Sequence, residues 1–88
     1  MEGSGNTAQI EERVKRLVAE QLRVNPSDIR PDGHFVDDYG ADSLDLTELV
    51  INVEDEFRLR IPEADLKNLT TVASVVDYVA GKLHHSNG

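Results

Sequence analysis

Residues 39–57 read YGADSLDLTELVINVEDEF, and this stretch decides the fold of the chain. It opens at a glycine turn and continues without a basic residue until Arg58, which indicates one acidic helix from about Ser43 to Phe57. Apolar residues recur along it at the spacing of a buried helical stripe. The members of this stripe, which we expect to face the core, are Leu46, Leu49, Val50, Val53 and Phe57.

A second apolar seam lies on another side of the same predicted helix. Leu44 and Ile51 are seven residues apart with Thr47 between them, and carboxylates surround them at helical spacing. Isolated leucine and isoleucine side chains are common on protein surfaces and carry little meaning alone. An exposed apolar seam within an acidic surface is, however, typical of a site that docks another protein, and we interpret it in that way.

The rest of the chain predicts three further helices. Apolar residues at helical spacing indicate a first helix from Ala8 to about Arg23 and a last helix from Val72 to about Leu83. A threonine pair at 70–71 precedes the last helix as its cap. Residues 62–69 allow one or two turns of a short third helix that starts near a proline.

A long connection, residues 24–39, separates the first two helices. Such a loop is unusual in a small domain unless it is pinned, and we expect Ile29, Phe35 and Val36 to fold back onto the core. The predicted fold is all-α, a small four-helix bundle of three longer helices and one short helix. We expect a disordered tail at residues 1–7, the helical domain at residues 8–83 and a frayed tail at residues 84–88.

Composition narrows the classes of function. The 88 residues carry a formal net charge of −8, which disfavours nucleic acid and anionic lipid as partners and favours basic protein surfaces. Disulfides and thiolate chemistry are excluded because there is no cysteine. No apolar run approaches the ~20 residues of a membrane span. We expect a monomer in the cytoplasm, or in an organelle if a transit peptide has been removed.

Catalytic and metal sites find little support. Ser43 lies in the sequence ADSLD, which is not G-x-S-x-G, and His34 is a lone loop histidine with no oxyanion hole to serve. Asp37, Asp45 and Glu48 occupy positions 1, 9 and 12 of a calcium loop, but positions 3 and 5 hold a tyrosine and an alanine. We therefore predict neither an enzyme nor a metal site, although weak surface binding of divalent cations by clustered carboxylates stays open.

Ser43 has two interpretations. A serine caps a helix N-terminus well, although Asp42 beside it could cap as well. Alternatively, the hydroxyl is exposed at a place where free N–H groups and the helix dipole favour an anion. A phosphodiester attached to Ser43 would be well placed there, while the flanking aspartates would oppose it.

The residues around Ser43 resemble the attachment motif of acyl carrier proteins. The motif reads GADSLD at 40–45 and is followed by ELV at 48–50. Other segments resemble the family at corresponding spacings: SDI at 27–29, HFVDD at 34–38, EDEF at 54–57, IP at 61–62, TTV at 70–72 and DYV at 77–79. Together they extend over roughly residues 8–83 and are far more specific than a bare D-S-L.

The resemblance implies a discrete carrier of the type that serves fatty acid biosynthesis and catalyses nothing itself. Ser43 would hold a 4′-phosphopantetheine arm, installed from coenzyme A by a phosphopantetheinyl transferase, and acyl groups would travel on it as thioesters, shielded between helices. Acyl-handling enzymes with basic patches would dock on the second helix. The docking residues implied are Asp42, Leu44, Asp45, Thr47, Glu48, Ile51, Glu54 and Asp55.

Some residues depart from the family pattern and leave alternatives open. Arg58 and Arg60 stand where bacterial fatty-acid carriers tend to be polar or acidic. Thr47 occupies a position that is often an apolar β-branched residue, and Asn52 one that is often alanine. A specialised carrier for a polyketide or another dedicated acyl product, or an unmodified acidic helical adaptor, is therefore retained beside the fatty-acid carrier.

Overall fold

The computed structural model describes residues 7–85, which form four helices. Helix α1 spans Thr7–Leu22, α2 spans Ser43–Phe57, α3 spans Glu63–Leu66 and α4 spans Val72–His85; a 3₁₀ turn covers Pro26–Asp28. Extended pairing in the described residues is limited to an isolated bridge between His34 and Thr71. The predicted all-α bundle with one short helix is confirmed.

The ends of the outer helices differ slightly from the prediction. Helix α1 includes Thr7, and α4 includes His84 and His85 although Gly81 lies within it. Thr7 and the two histidines therefore belong to helices, whereas the remainder of the two predicted tails, residues 1–6 and 86–88, lies outside the described residues. The domain limits stay a prediction.

The core is mainly aliphatic, with two phenylalanines, and is centred on α1, which packs against both α2 and α4. Helix α2 contributes Leu49, Val53 and Phe57, as its predicted stripe requires, while Leu46 and Val50 are half-buried at the edge of the core. Each fully buried side chain of this kind contributes roughly 1.5–3 kcal/mol. The fully enclosed residues of the other two long helices are Val14 and Val18 on α1, and Val72 and Val79 on α4.

Two surface polar contacts show that α1 and α2 pack antiparallel. Gln21 donates to Glu48 at 2.8 Å near one end of the pair, and Arg13 bridges to Glu56 at 2.7 Å near the other. The Arg13 guanidinium also lies 4.7 Å from the centre of the Phe57 ring. The C-terminal end of α1 is thereby placed beside the N-terminal half of α2.

The long loop is pinned to the core as predicted, but by two of the three expected residues. Ile29 and Phe35 are buried, whereas Val36 is 44% exposed, so its predicted core position is wrong. Phe35 takes the core position and donates its N–H to the Thr70 carbonyl at 2.9 Å. The next residue starts a turn in which the Val36 carbonyl accepts from the Gly40 N–H at 2.9 Å, and this turn carries Val36 to the surface.

Two glycines in this loop are needed for different reasons. Gly33 lies directly against the Tyr39 ring, so that a Cβ at this position would overlap the tyrosine side chain. The Tyr39 hydroxyl in turn accepts the Arg30 N–H at 2.8 Å and closes the loop. Gly40 has open space around it but a φ of +70°, a conformation that side-chain-bearing residues rarely adopt. This conformation of Gly40 directs the chain towards the start of α2.

Candidate functional site

The N-terminus of α2 is closed by a reciprocal pair of aspartates. Asp42 is the N-cap, and its carboxylate accepts the Asp45 N–H at 2.8 Å. The Asp45 carboxylate accepts the Asp42 N–H at 3.2 Å, which completes a capping box. The capping role that the sequence left open between Ser43 and Asp42 therefore belongs to Asp42.

Ser43 is the first residue inside the helix, and it is exposed. Among residues 7–85 its hydroxyl has no hydrogen-bond partner, and the backbone N–H groups of Ser43 and Leu44 have no acceptor. These free N–H groups carry the positive end of the helix dipole. The site thus presents an unengaged hydroxyl beside donors that favour an anion.

The predicted seam is exposed along the helix that follows. Leu44 is 64% exposed and Ile51 is 50% exposed, with the exposed Thr47 between them. The Thr47 hydroxyl donates to the Ser43 carbonyl at 2.9 Å, so that its polar group is engaged within the helix. The exposure that the sequence predicted for these residues is confirmed, and their role in docking stays a prediction.

The carboxylates around the seam are engaged to different degrees. Asp42 and Asp45 each use one oxygen in the capping box, and Glu48 accepts from Gln21. Glu54 is half-buried and accepts the Ile61 N–H at 2.8 Å. Asp55 is exposed, and its carboxylate has no partner within the described part of the chain.

Sequence reasoning missed the partners of Glu48 and Glu54. Gln21 and Ile61 lie on other elements, and nothing in the local pattern of α2 indicates them. The half-polar face of α1 could have signalled Gln21, which also accepts from the Asn52 amide at 3.1 Å. Asn52, which departs from the family pattern, thus has a structural role in joining α1 to α2.

An apolar groove of about 210 Å³ opens between α2 and the segment that contains α3. Its walls are aliphatic and aromatic except for Thr47 and Lys67. Leu46 and Val50, which the sequence assigned to the core, line it, and this explains why they are half-buried. The other lining residues are Phe35, Leu49, Val53, Ile61, Leu66, Leu69 and Val75.

The outer wall of the groove is fastened to α4 by a phenol–carboxylate hydrogen bond. The Tyr78 hydroxyl donates to the Asp65 carboxylate at 2.6 Å. Partial burial, followed by the hydrogen bond to Asp65 and the charges of Asp65 and Glu54, raises the pKa of Tyr78 to about 12. The neutral phenol is therefore stabilised as a donor, and Asp65 and Glu54 both act on it.

Residues 7–85 contain neither a metal-binding cluster nor a membrane-spanning helix. No three histidine, aspartate or glutamate side chains converge there as a group that could hold a metal ion. None of the helices in this part of the chain is long and apolar enough to cross a membrane. A second depression, of about 480 Å³ between α1 and the 3₁₀ turn, is lined mainly by charged side chains, among them Glu12 and Arg16.

Comparison with known protein families gives a match over most of the chain. A family model described as a phosphopantetheine attachment site matches residues 12–79. The matched region begins in the second turn of α1, contains Ser43 and the groove, and ends within α4.

Proposed function

The chain belongs to the phosphopantetheine attachment site family, and from this premise we propose that it carries acyl intermediates of fatty acid biosynthesis, with Ser43 as the attachment residue. Members of this family are acyl-carrier-type domains with a covalently attached 4′-phosphopantetheine group. Carrier domains of this family are not catalytic themselves. When attached, the group supplies a terminal thiol on which acyl chains are held as thioesters. The residues of the chain have three tasks: to present the attachment hydroxyl, to shelter the cargo and to dock the enzymes.

The observation that carries the proposal is the unengaged hydroxyl of Ser43 at the first position of α2. Because Asp42 caps the helix, Ser43 is not needed for capping, and its oxygen is accessible to a modifying enzyme. The free N–H groups of Ser43 and Leu44 would hold a phosphodiester on that oxygen. They offset the repulsion of Asp42 and Asp45, each of which already shares one oxygen with a backbone N–H.

The groove supports the proposed carrier role because it offers an apolar space for the acyl chain. It begins beside Thr47, one helical turn after Ser43, and its walls are almost wholly apolar. Each methylene that leaves water for such a site gains about 0.8 kcal/mol, which favours a folded-back acyl chain of short or medium length. Water would then be kept from the thioester for as long as the chain stays in the groove.

The exposed side of α2 supports the docking role. Leu44, Thr47 and Ile51 offer a narrow apolar strip, and Glu48 and Asp55 flank it with negative charge. We propose that the phosphopantetheinyl transferase and the acyl-handling enzymes meet this strip with a basic patch, since opposite charges accelerate association. The net charge of −8 strengthens that attraction, and we propose a monomer that acts in the cytoplasm.

The test is modification by a broad-specificity phosphopantetheinyl transferase with coenzyme A, followed by an intact mass. We expect the wild type to gain one phosphopantetheine and Ser43→Ala to gain none. Ser27→Ala is the control, because Ser27 is also exposed and lies within a short helical turn outside the site, although its hydroxyl donates to Asn25 at 3.0 Å. Absence of a mass gain in the wild type, or a gain that survives Ser43→Ala, would overturn the proposal.

One observation favours a specialised carrier as the second candidate. Lys67 brings a cation to the rim of a groove that is otherwise apolar except for Thr47, whose hydroxyl already donates to the Ser43 carbonyl. An acyl chain with a keto group near its thioester would find a donor there. Melting temperatures of the protein loaded with saturated or 3-keto chains of equal length separate the two: greater stabilisation by the keto chain favours the specialised carrier.

A further inference from the structure

Helix α3 has little of its own to hold it in place. It is four residues long, has no side-chain hydrogen bond at its N-cap Pro62, and contains no buried residue. Isolated helices of this length are unstable in water, so its position must depend on contacts with the rest of the protein. It nevertheless contributes Leu66 to the wall of the groove, and Lys67 and Leu69, which come shortly after α3, also line it.

Two part-buried hydrogen bonds fasten this wall to the longer helices. The Glu54 carboxylate, on α2, accepts the N–H of Ile61 at 2.8 Å just before α3 begins. The Tyr78 hydroxyl, on α4, donates to the Asp65 carboxylate at 2.6 Å within α3 itself. One bond therefore holds the entry to α3, and the other holds its body.

The two bonds belong to one electrostatic cluster. The Asp65 carboxylate lies 2.6 Å from the Tyr78 hydroxyl, and the charges of Asp65 and Glu54 both contribute to raising the pKa of this phenol. The ammonium group of Lys82 lies 5.5 Å from the centre of the Tyr78 ring and faces the cluster from α4. In a partly buried setting, each such bond counts for more than it would on the open surface.

We propose that Glu54 and Tyr78 are positioning residues that hold α3 against the bundle and so set the length of acyl chain that the groove shelters. The sequence placed Glu54 among the docking residues; its bond to Ile61 gives it this second role. The part of the proposal that concerns cargo rests on the proposed carrier function. The part that concerns the placement of α3 does not, and it can be tested on the unmodified protein.

The first test is amide hydrogen exchange, measured by NMR on unmodified protein. The reporters are the N–H groups of Asn68 and Leu69, which donate to Asp65 and Leu66 at 3.1 and 3.0 Å. Loss of a net hydrogen bond predicts that Glu54→Met and Tyr78→Phe each raise exchange at these amides about five-fold, whereas the core amides of α1 are unchanged. Wild-type rates in both variants would overturn the proposal.

The matched controls separate positioning from charge. Glu54→Gln keeps an acceptor oxygen for the Ile61 N–H and removes the negative charge, so we expect near wild-type exchange. Asp55→Asn changes the neighbouring carboxylate, which has no partner among residues 7–85, and should also leave exchange unchanged. If Glu54→Gln raised exchange as much as Glu54→Met, charge and not the hydrogen bond would hold α3, and the proposal would fail.

The second test measures shelter of the cargo. Protein loaded with saturated acyl chains of increasing length is treated with hydroxylamine, and the loss of acyl mass gives the rate of thioester cleavage. In the wild type, protection of the thioester should increase with the length of the acyl chain up to a limiting length. In Glu54→Met and Tyr78→Phe, protection should fall several-fold, and the limiting length should differ from that of the wild type. Equal protection in all variants would overturn the cargo part, whereas failure of the wild type to accept any chain would instead overturn the proposed function.

Discussion

The two walls of the groove differ sharply in strength. Helix α2 has 15 residues, a complete capping box and three buried side chains, whereas α3 has four residues, no side-chain cap and no buried side chain. Ser43, the proposed attachment residue, is on the strong wall. The side chains that close the groove from outside, Leu66 and Lys67, are on or beside the weak one.

This difference separates two requirements that conflict in a carrier. Enzymes that act in turn must find the attachment point in the same place, which requires a rigid helix. Cargo that changes in length needs a space that can adjust, and segments with few buried contacts are the ones that open at low cost. A groove with one rigid and one weakly held wall meets both requirements.

The largest effect on stability is expected when one leucine is removed from each wall of the groove. Leu49, which is 3% exposed, lies on the strong wall, and Leu49→Ala should lower the free energy of unfolding by about 2–5 kcal/mol. Leu66→Ala, on the weak wall, should cost less than half as much because Leu66 is only partly buried. Urea denaturation measures both. Equal losses would show that α3 is as much a part of the core as α2.

Disruption of the capping box should cause a loss of stability of intermediate size. Asp42→Ala removes the acceptor of the Asp45 N–H and should cost about 1 kcal/mol of stability. Asp42→Asn retains an acceptor oxygen and should recover most of that loss. Thermal unfolding at constant pH distinguishes the variants, and an alanine variant as stable as the wild type would mean that the capping box is not what makes this wall strong.

Alkaline pH tests the weak wall through Tyr78. Its pKa in the folded protein, about 12, is raised above the ordinary value of about 10, so the neutral phenol stabilises the fold. This contribution is complete below pH of about 10 and is lost as the pH rises towards 12. The difference in ultraviolet absorbance between wild type and Tyr78→Phe follows the ionisation. A midpoint at the ordinary value for tyrosine would contradict the partial burial of Tyr78 together with its bond to Asp65.

Salt should have the smallest effect, and it acts on the strong wall. The carboxylates of α2 repel one another, with a formal net charge of −8 over the whole chain, so moderate salt or magnesium should raise the melting temperature by a few degrees. Glu48→Gln should reduce this dependence. A melting temperature that stays flat from low to moderate ionic strength would show that the bonds to Gln21, Arg13 and Ile61 already balance the repulsion.

Features encoded by neighbouring residues could be predicted from the sequence. The helical stripes and the exposure of Leu44 and Ile51 follow from a repeat of 3.6 residues, and the place of Ser43 follows from the glycine and aspartates around it. Features that depend on a distant partner could not. Val36 was assigned to the core because it is apolar, but the turn closed by Gly40 carries it outward.

The groove belongs to the second group. Leu46 and Val50 have the same spacing as true core residues, but in the folded protein they line a groove beside the four-residue helix α3. Glu54 looks like any other carboxylate of an acidic helix until the backbone of Ile61 is folded against it. The fold can therefore be predicted from the sequence more completely than the contacts of Glu54 and Tyr78 that hold α3 beside the groove.

The two tyrosines have a consequence for observing this protein at work. The chain contains no tryptophan, so its intrinsic ultraviolet emission comes from Tyr39 and Tyr78. A phenol that donates to a carboxylate loses its proton readily in the excited state and emits weakly, which should keep Tyr78 dark while it holds Asp65. Tyr39 accepts a backbone N–H and gives a steady background. We therefore expect the tyrosine emission of the unlabelled protein to increase when α3 moves away from Tyr78 and this hydrogen bond breaks.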